Sequence, residues 1–125
     1  MGATVLVVDD SAAMRALLGV ALRQAGHEVA EARDGREALG RLDAGEVDLI
    51  VSDCIMPLMD GISLVRAIKQ RPDLARIPII MLTTESLGAS IREGQALGVQ
   101  AWIVKPFRPE QFVEAVKRVL SAARP

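Results

Sequence analysis

The chain is poor in rings and in sulfur bridges. Its 125 residues include one Cys, one Trp, two Phe and no Tyr. The single Cys54 excludes an intrachain disulfide and fits a reducing compartment. With so few aromatic side chains, a chain that is half apolar must build an aliphatic core. An excess of one charge is also missing: 15 Lys and Arg stand against 16 Asp and Glu, a net charge of -1. That balance favours neither nucleic acid nor an acidic membrane surface as a partner. There is no charge block, low-complexity run or internal repeat. The opening Met-Gly-Ala-Thr lacks the basic region and apolar run of a signal peptide. No apolar stretch approaches the length of a membrane span. The length suits one domain with a real core, so the expectation is a single cytoplasmic domain over 1–125, without membrane insertion. Only Ala-Ala-Arg-Pro follows the last helical pattern, so no output domain is expected within this chain.

Strands and helices alternate in the patterns that are present. Thr4–Val8 is a near-continuous β-branched run, as in a strand buried on both faces, and it stops at Asp9-Asp10. From Ser11, apolar residues recur at Met14, Leu17, Leu18, Ala21, Leu22 and Ala25, which is helical spacing. Ser11 or Asp10 can cap that helix and Gly26 can end it. Glu28–Ala32 reads as a more polar edge strand. Asp34-Gly-Arg-Glu37 resembles a capping box for a second helix that Gly45 ends. Leu49–Asp53 is a third strand, ending on an acid and followed by Pro57 and Asp60-Gly61. Asp60 can cap a third helix with Leu64, Val65 and Ile68 inward. Pro78–Leu82 is a fourth strand ending at Thr83-Thr84. A fourth helix over 86–97 carries Gly88 and Gly94, each costing about 1 kcal/mol relative to Ala. Ala101–Val104 is a fifth strand ending at Lys105-Pro106, and Pro109 opens the last amphipathic helix. Five strands alternating with five helices predict an α/β fold, a doubly wound five-stranded parallel sheet in the order 2-1-3-4-5. Groups at the carboxyl ends of its strands then share one crevice.

The strand ends carry the chemistry. Asp9-Asp10 ends the first strand, Asp53 the third, Thr83 the fourth and Lys105 the fifth. Taken singly, each has an ordinary explanation: an Asp pair can be a helix cap, a Thr can be turn chemistry, and a Lys before Pro can be a solvated charge. Taken together, they put three carboxylates on one edge. Like charges that close oppose one another's ionisation, and a hard cation with oxygen ligands, Mg²⁺, would relieve them. A metal seat, an ammonium and a hydroxyl around one carboxylate are what a carboxylate nucleophile needs to accept a phosphoryl group.

Val5-Leu-Val-Val-Asp9-Asp10-Ser11, the Asp53-x-x-Met56-Pro57-x-Met59-Asp60-Gly61 run, Thr83 and Ile103-Val-Lys105-Pro106-Phe107 together resemble the response-regulator receiver domains of the CheY type. The likeness covers essentially the whole chain, and CheY is itself a reference example of the 2-1-3-4-5 order. It implies that Asp53 accepts phosphate from a histidine kinase. It implies that Asp9, Asp10, Asp53 and the backbone carbonyl of Ile55 hold Mg²⁺, and that Thr83 and Lys105 contact the phosphoryl oxygens. The peptide before Pro106 is expected to be cis. A switch is implied in which Thr83 and Trp102 move together and reshape the surface of the fourth helix, fifth strand and fifth helix. Positions 55 and 85, here Ile55 and Glu85, tune dephosphorylation in the family. The resemblance implies a monomeric signalling switch rather than an enzyme, one that assists its own phosphotransfer and dephosphorylation. Its target would be a flagellar or motility protein, by analogy of the segment 99–107 with chemotaxis regulators.

Three alternatives stand beside it. The chain could be a receiver cut from a larger transcription factor or hybrid kinase. A flavin-binding relative of the same fold would need a Ser/Thr/Gly phosphate loop after strand one, where Asp9-Asp10 stands. A haloacid-dehalogenase-type phosphatase needs Asp-x-Asp after its first strand, which is absent. Cys54, next to the acceptor, should point opposite to Asp53 and pack in the core rather than sense redox state.

Overall fold

The computed structural model describes residues 2–54, 60–83 and 88–123. In chain order the elements are β1 (Thr4–Val8), α1 (Ala12–Gln24), β2 (Glu28–Ala32), α2 (Gly35–Ala44), β3 (Leu49–Asp53), α3 (Gly61–Lys69), β4 (Ile79–Thr83), α4 (Gly88–Leu97), β5 (Ala101–Val104) and α5 (Pro109–Ala123). The strands pair in parallel in the order β2-β1-β3-β4-β5. This is the doubly wound sheet that the sequence predicts, with the polar β2 at one edge.

Residue alternation divides the core into two layers. Val5, Val7, Val51 and Leu82 face α1 and α5, where Leu18, Leu22, Phe112 and Val116 cover them. Leu6, Val8, Ile50 and Met81 face α2 and α3, under Ala38, Leu64, Val65 and Ile68. Each Leu or Ile fully withdrawn from water in this way contributes about 2 kcal/mol. The core is aliphatic, as the shortage of rings requires. Phe112 is the one aromatic side chain in it with no exposed surface.

The helix starts follow their caps. Ser11 Oγ accepts from the Met14 amide, Asp34 Oδ1 from Glu37 and Asp60 Oδ1 from Ser63. Each such cap is worth about 1 kcal/mol. The capping box at α2 is shifted by one residue, because Glu37 Oε1 accepts from the Arg33 amide rather than from that of Asp34. Gly26 and Gly98 adopt φ of 93° and 92°, the left-handed stops of α1 and α4. Gly45 also ends its helix, but in extended backbone.

Leu17 departs from the predicted inward stripe of α1. It is 50% exposed, with Val20 beside it at 52%. The helix centres its buried face on Leu18 and Leu22, and a residue about 100° away from Leu18 falls off that narrow stripe. The start predicted for α4 at Ser86 lies outside the described residues.

Candidate functional site

The carboxyl ends of β1 and β3 lie side by side, with Val8 in register with Ser52. The next residue on each strand is an acid, Asp9 and Asp53, and Asp10 follows Asp9. Oxygens of Asp9, Asp10 and Asp53 come within 4.8 Å of one another. Lys105 reaches the same point from the end of β5, with Nζ 3.2 Å from Asp53 Oδ1 and 3.9 Å from Asp9 Oδ2. The topology therefore gathers four residues from as far apart in the sequence as positions 9 and 105.

Asp9 is the buried member of the cluster, 1% exposed. Its amide donates to the Ala32 carbonyl at 3.1 Å, and its Oδ1 accepts from the Ser11 amide at 2.9 Å. Its Oδ2 is buried without a hydrogen-bond partner among the described residues. Burial, more than any other cause, pushes the Asp9 carboxyl above the usual carboxylate range. The Asp53 and Asp10 charges push the same way, while the Ser11 amide and Lys105 oppose them.

These features test whether a divalent cation fits. The donors are hard carboxylate oxygens, one of them buried and unsatisfied, and one ammonium does not balance three carboxylates. Oxygens sharing an octahedral Mg²⁺ lie about 3–4 Å apart, so the cluster needs only a small contraction to hold one. The residues fit. The Ile55 carbonyl and the Glu85 side chain, both given roles by the resemblance, lie outside the described residues.

Thr83 is buried at the end of β4. Its carbonyl accepts from the Lys105 amide at 2.7 Å, which ties the ends of β4 and β5 together. Met81 is in register with Trp102, and both belong to the layer under α2, α3 and α4. Thr83, two residues beyond Met81, takes that same face by strand alternation. Thr83 and Trp102 are thus diagonal neighbours on one side of the sheet. Lys105–Pro106 is cis. Cys54 is buried among Ile62, Val65 and the rest of that layer, as packing requires.

Two glycines prove to be matters of close approach, which spacing alone did not reveal. A Cβ on Gly61 would lie 2.6 Å from the Asp53 carbonyl oxygen and 2.9 Å from Cys54 Cα. The start of α3 rests directly on the end of β3, and the Gly61 amide donates to the Cys54 carbonyl at 2.9 Å. The Asp-Gly pair is therefore a cap plus a contact that excludes any side chain, not only a turn. A Cβ on Gly94 would lie 2.2 Å from Trp102 Cζ2. The indole fills the space that Gly94 leaves in α4.

A cavity of about 780 Å³ lies at the opposite end of the sheet, lined by Arg76, Pro78, Gln100 and Arg118 among others. Volume alone would favour it as a binding site. It holds none of the gathered acids.

Residues 5–117 match the model of the response regulator receiver domain. The chain belongs to the response regulator receiver family. It is 37% identical over 116 residues to the chemotaxis protein CheY of Pseudomonas aeruginosa, covering 92% of this chain and 94% of that one. It is 43% identical to the gliding motility regulatory protein of Myxococcus xanthus, again over 92% of this chain but only 15% of that one. Among solved structures, the chemotaxis regulator CheY4 of Vibrio cholerae matches with a TM-score of 0.89 and 42% identity, over 95% of this chain and 99% of that one. A receiver domain of a Pseudomonas aeruginosa sensor histidine kinase matches with a TM-score of 0.86 and 27% identity, over 97% and 99%. That receiver holds a magnesium ion in its active-site cleft. Receivers are the signalling switches of two-component systems, not classical enzymes: a histidine kinase supplies the phosphoryl group and a downstream target reads the result. Membership displaces the flavin and dehalogenase alternatives, which the Asp9-Asp10 end of β1 already disfavoured. No helix among the described residues is long and apolar enough to cross a membrane.

Proposed function

We propose that this receiver is switched by phosphorylation of Asp53 and signals by binding a protein through its α4–β5–α5 surface. The observation that carries the reading is the Lys105 Nζ at 3.2 Å from Asp53 Oδ1, beside the clustered Asp9 and Asp10. Asp53 is the acid that meets Lys105 most closely, and its burial lies between that of Asp9 and that of Asp10. Its carboxylate oxygen forms the new O–P bond as the N–P bond to the kinase imidazole breaks, and the imidazole nitrogen keeps the electron pair. Lys105 pairs with the charge that grows on the phosphoryl oxygens. Asp9, Asp10 and Asp53, with the Ile55 carbonyl, would hold Mg²⁺. When bound, the ion neutralises phosphoryl oxygens and aligns the group for in-line transfer. Thr83 supplies a hydroxyl to the phosphorylated acid. Its place on the sheet face of Trp102 supports a coupled movement of the two under α4.

The added charge, nearly two units, is enough to form new charge-assisted contacts and shift a loop. The target belongs to motility or chemotaxis in this reading, which the names of the CheY and gliding-motility relatives support. The protein works as a single cytoplasmic receiver domain, monomeric and without nucleic acid. A second reading is a receiver within a longer regulator. The gliding-motility relative supports it, since the chain spans only 15% of that protein's length.

The test is incubation with acetyl phosphate or beryllofluoride plus Mg²⁺, followed by fluorescence of Trp102, the only Trp. The expected result is a Mg²⁺-dependent change that Asp53→Asn abolishes. A change that survives Asp53→Asn removes Asp53 as the acceptor. Phosphorylation without a change removes Trp102 from the switch.

A further inference from the structure

We propose that Arg15 is a positioning residue for the acidic cluster, clamping the Asp9 backbone so that the Asp9 and Asp10 carboxylates are presented to a divalent cation. The proposal rests on the reading of that cluster as a cation site. Arg15 stands in the first turn of α1, where its amide donates to the Ser11 carbonyl. Its side chain turns back across the β1–α1 junction. Nη1 donates to the Asp9 carbonyl at 2.6 Å, and Nε donates to Glu31 Oε1 on β2 at 3.1 Å. The side chain is only 18% exposed. Glu31 is held in turn, its carbonyl accepting from Arg41 Nε at 3.0 Å. One guanidinium thus bridges α1, the end of β1 and the edge strand β2.

The consequence falls on Asp9. Arg15 fixes its carbonyl, and the Ser11 amide fixes its Oδ1 at 2.9 Å. Oδ2 is the oxygen left without a hydrogen bond among the described residues, on the side where Lys105 Nζ lies 3.9 Å away. With both ends of the residue pinned, the free oxygen has one direction to face, and Asp10 inherits the same backbone frame. A planar fork can serve two acceptors at once; a lysine ammonium on a flexible stem does not reproduce this. Hydrogen bonds to a charged donor are also short and strong, as the 2.6 Å contact is. The competing view is an ordinary helix-to-strand ion pair, which would add little stability and nothing to cation binding.

Calorimetric Mg²⁺ titration of the full chain separates the two views. Residues that orient metal ligands typically control affinity by about 10- to 100-fold. Arg15→Met is expected to weaken Mg²⁺ by about tenfold or more, and Arg15→Lys by an intermediate factor. Arg71→Met is the control, since it loses ion pairs to Asp43 and Asp73 at the other end of the sheet and should titrate as wild type. Circular dichroism and the melting temperature without Mg²⁺ report whether each variant folds. If Arg15→Met does not fold, Arg15→Lys carries the test. Wild-type affinity in the folded Arg15 variants overturns the proposal, as does an equal loss in Arg71→Met. A wild-type chain that takes up no Mg²⁺ overturns the cation-site reading itself, and the proposal with it.

Discussion

The two ends of the carboxyl edge are held by different physics. At β1 and β3, Asp9 is fixed by its amide, its carbonyl and one carboxylate oxygen, all in hydrogen bonds of 3.1 Å or less. Gly61 seats α3 on the Asp53 backbone with no room for a methyl group. At β5 and α4, the contact is one of shape. The Trp102 ring fills a gap left by Gly94, and its Nε1 is buried with no hydrogen-bond partner among the described residues. A buried indole N–H normally finds an acceptor. β1 is almost entirely buried, whereas β5 is only partly buried along its length. In the proposed switch this difference becomes a division of labour: a polar frame would hold the acids, and the apolar Trp102–Gly94 contact would move when Asp53 is phosphorylated.

Gly61→Ala should give the largest effect. The new methyl meets backbone, which cannot swing aside, and the cost should reach about 3 kcal/mol in urea unfolding, the upper range of overpacking. Gly94→Ala is smaller, because its obstacle is a side chain. The clash should outweigh the helix gain and destabilise by about 1–2 kcal/mol. In a Trp102→Ala background the sign should reverse, with Gly94→Ala stabilising by about 1 kcal/mol through helix propensity alone. If Gly94→Ala destabilises both backgrounds equally, the indole is not what requires the glycine. If it costs more than Gly61→Ala, the assignment of rigid and lightly held ends is inverted.

Asp9→Asn should have an effect of similar or smaller size and opposite direction. Burial raises the Asp9 carboxyl in the folded chain above its unfolded value, so the folded state binds the proton more tightly. Stability without Mg²⁺ should therefore fall as pH rises from the ordinary carboxylate range through the raised folded value, and the penalty is fully present above it. Asp9→Asn should remove that slope and stabilise the Mg²⁺-free protein near neutral pH. Saturating Mg²⁺ should stabilise wild type and leave Asp9→Asn almost unchanged. Thermal melts across pH, with and without Mg²⁺, check both statements.

Much of this was legible in the sequence because it depends on period and topology. β-branched runs that stop at Asp9 and Asp53 mark strand ends, and right-handed crossovers bring those ends together. Lys105 joins them for the same reason. What was not legible depends on side-chain volume and reach. Gly94 looks like a weak point in a helix until the indole is seen lying against it. Gly61 looks like a turn former until the Asp53 carbonyl is seen 2.6 Å from where its Cβ would be. Leu17 has the spacing of a core residue, but α1 buries too narrow a stripe to include it. Nothing in the spacing of Arg15 shows that its side chain turns back onto the end of β1.

Amide hydrogen exchange with and without Mg²⁺ and beryllofluoride tests the division of labour most directly. The account predicts that exchange changes in α4 and β5, while β1 and β3 keep their protection. A response concentrated in β1 and β3, with α4 and β5 unchanged, would contradict it.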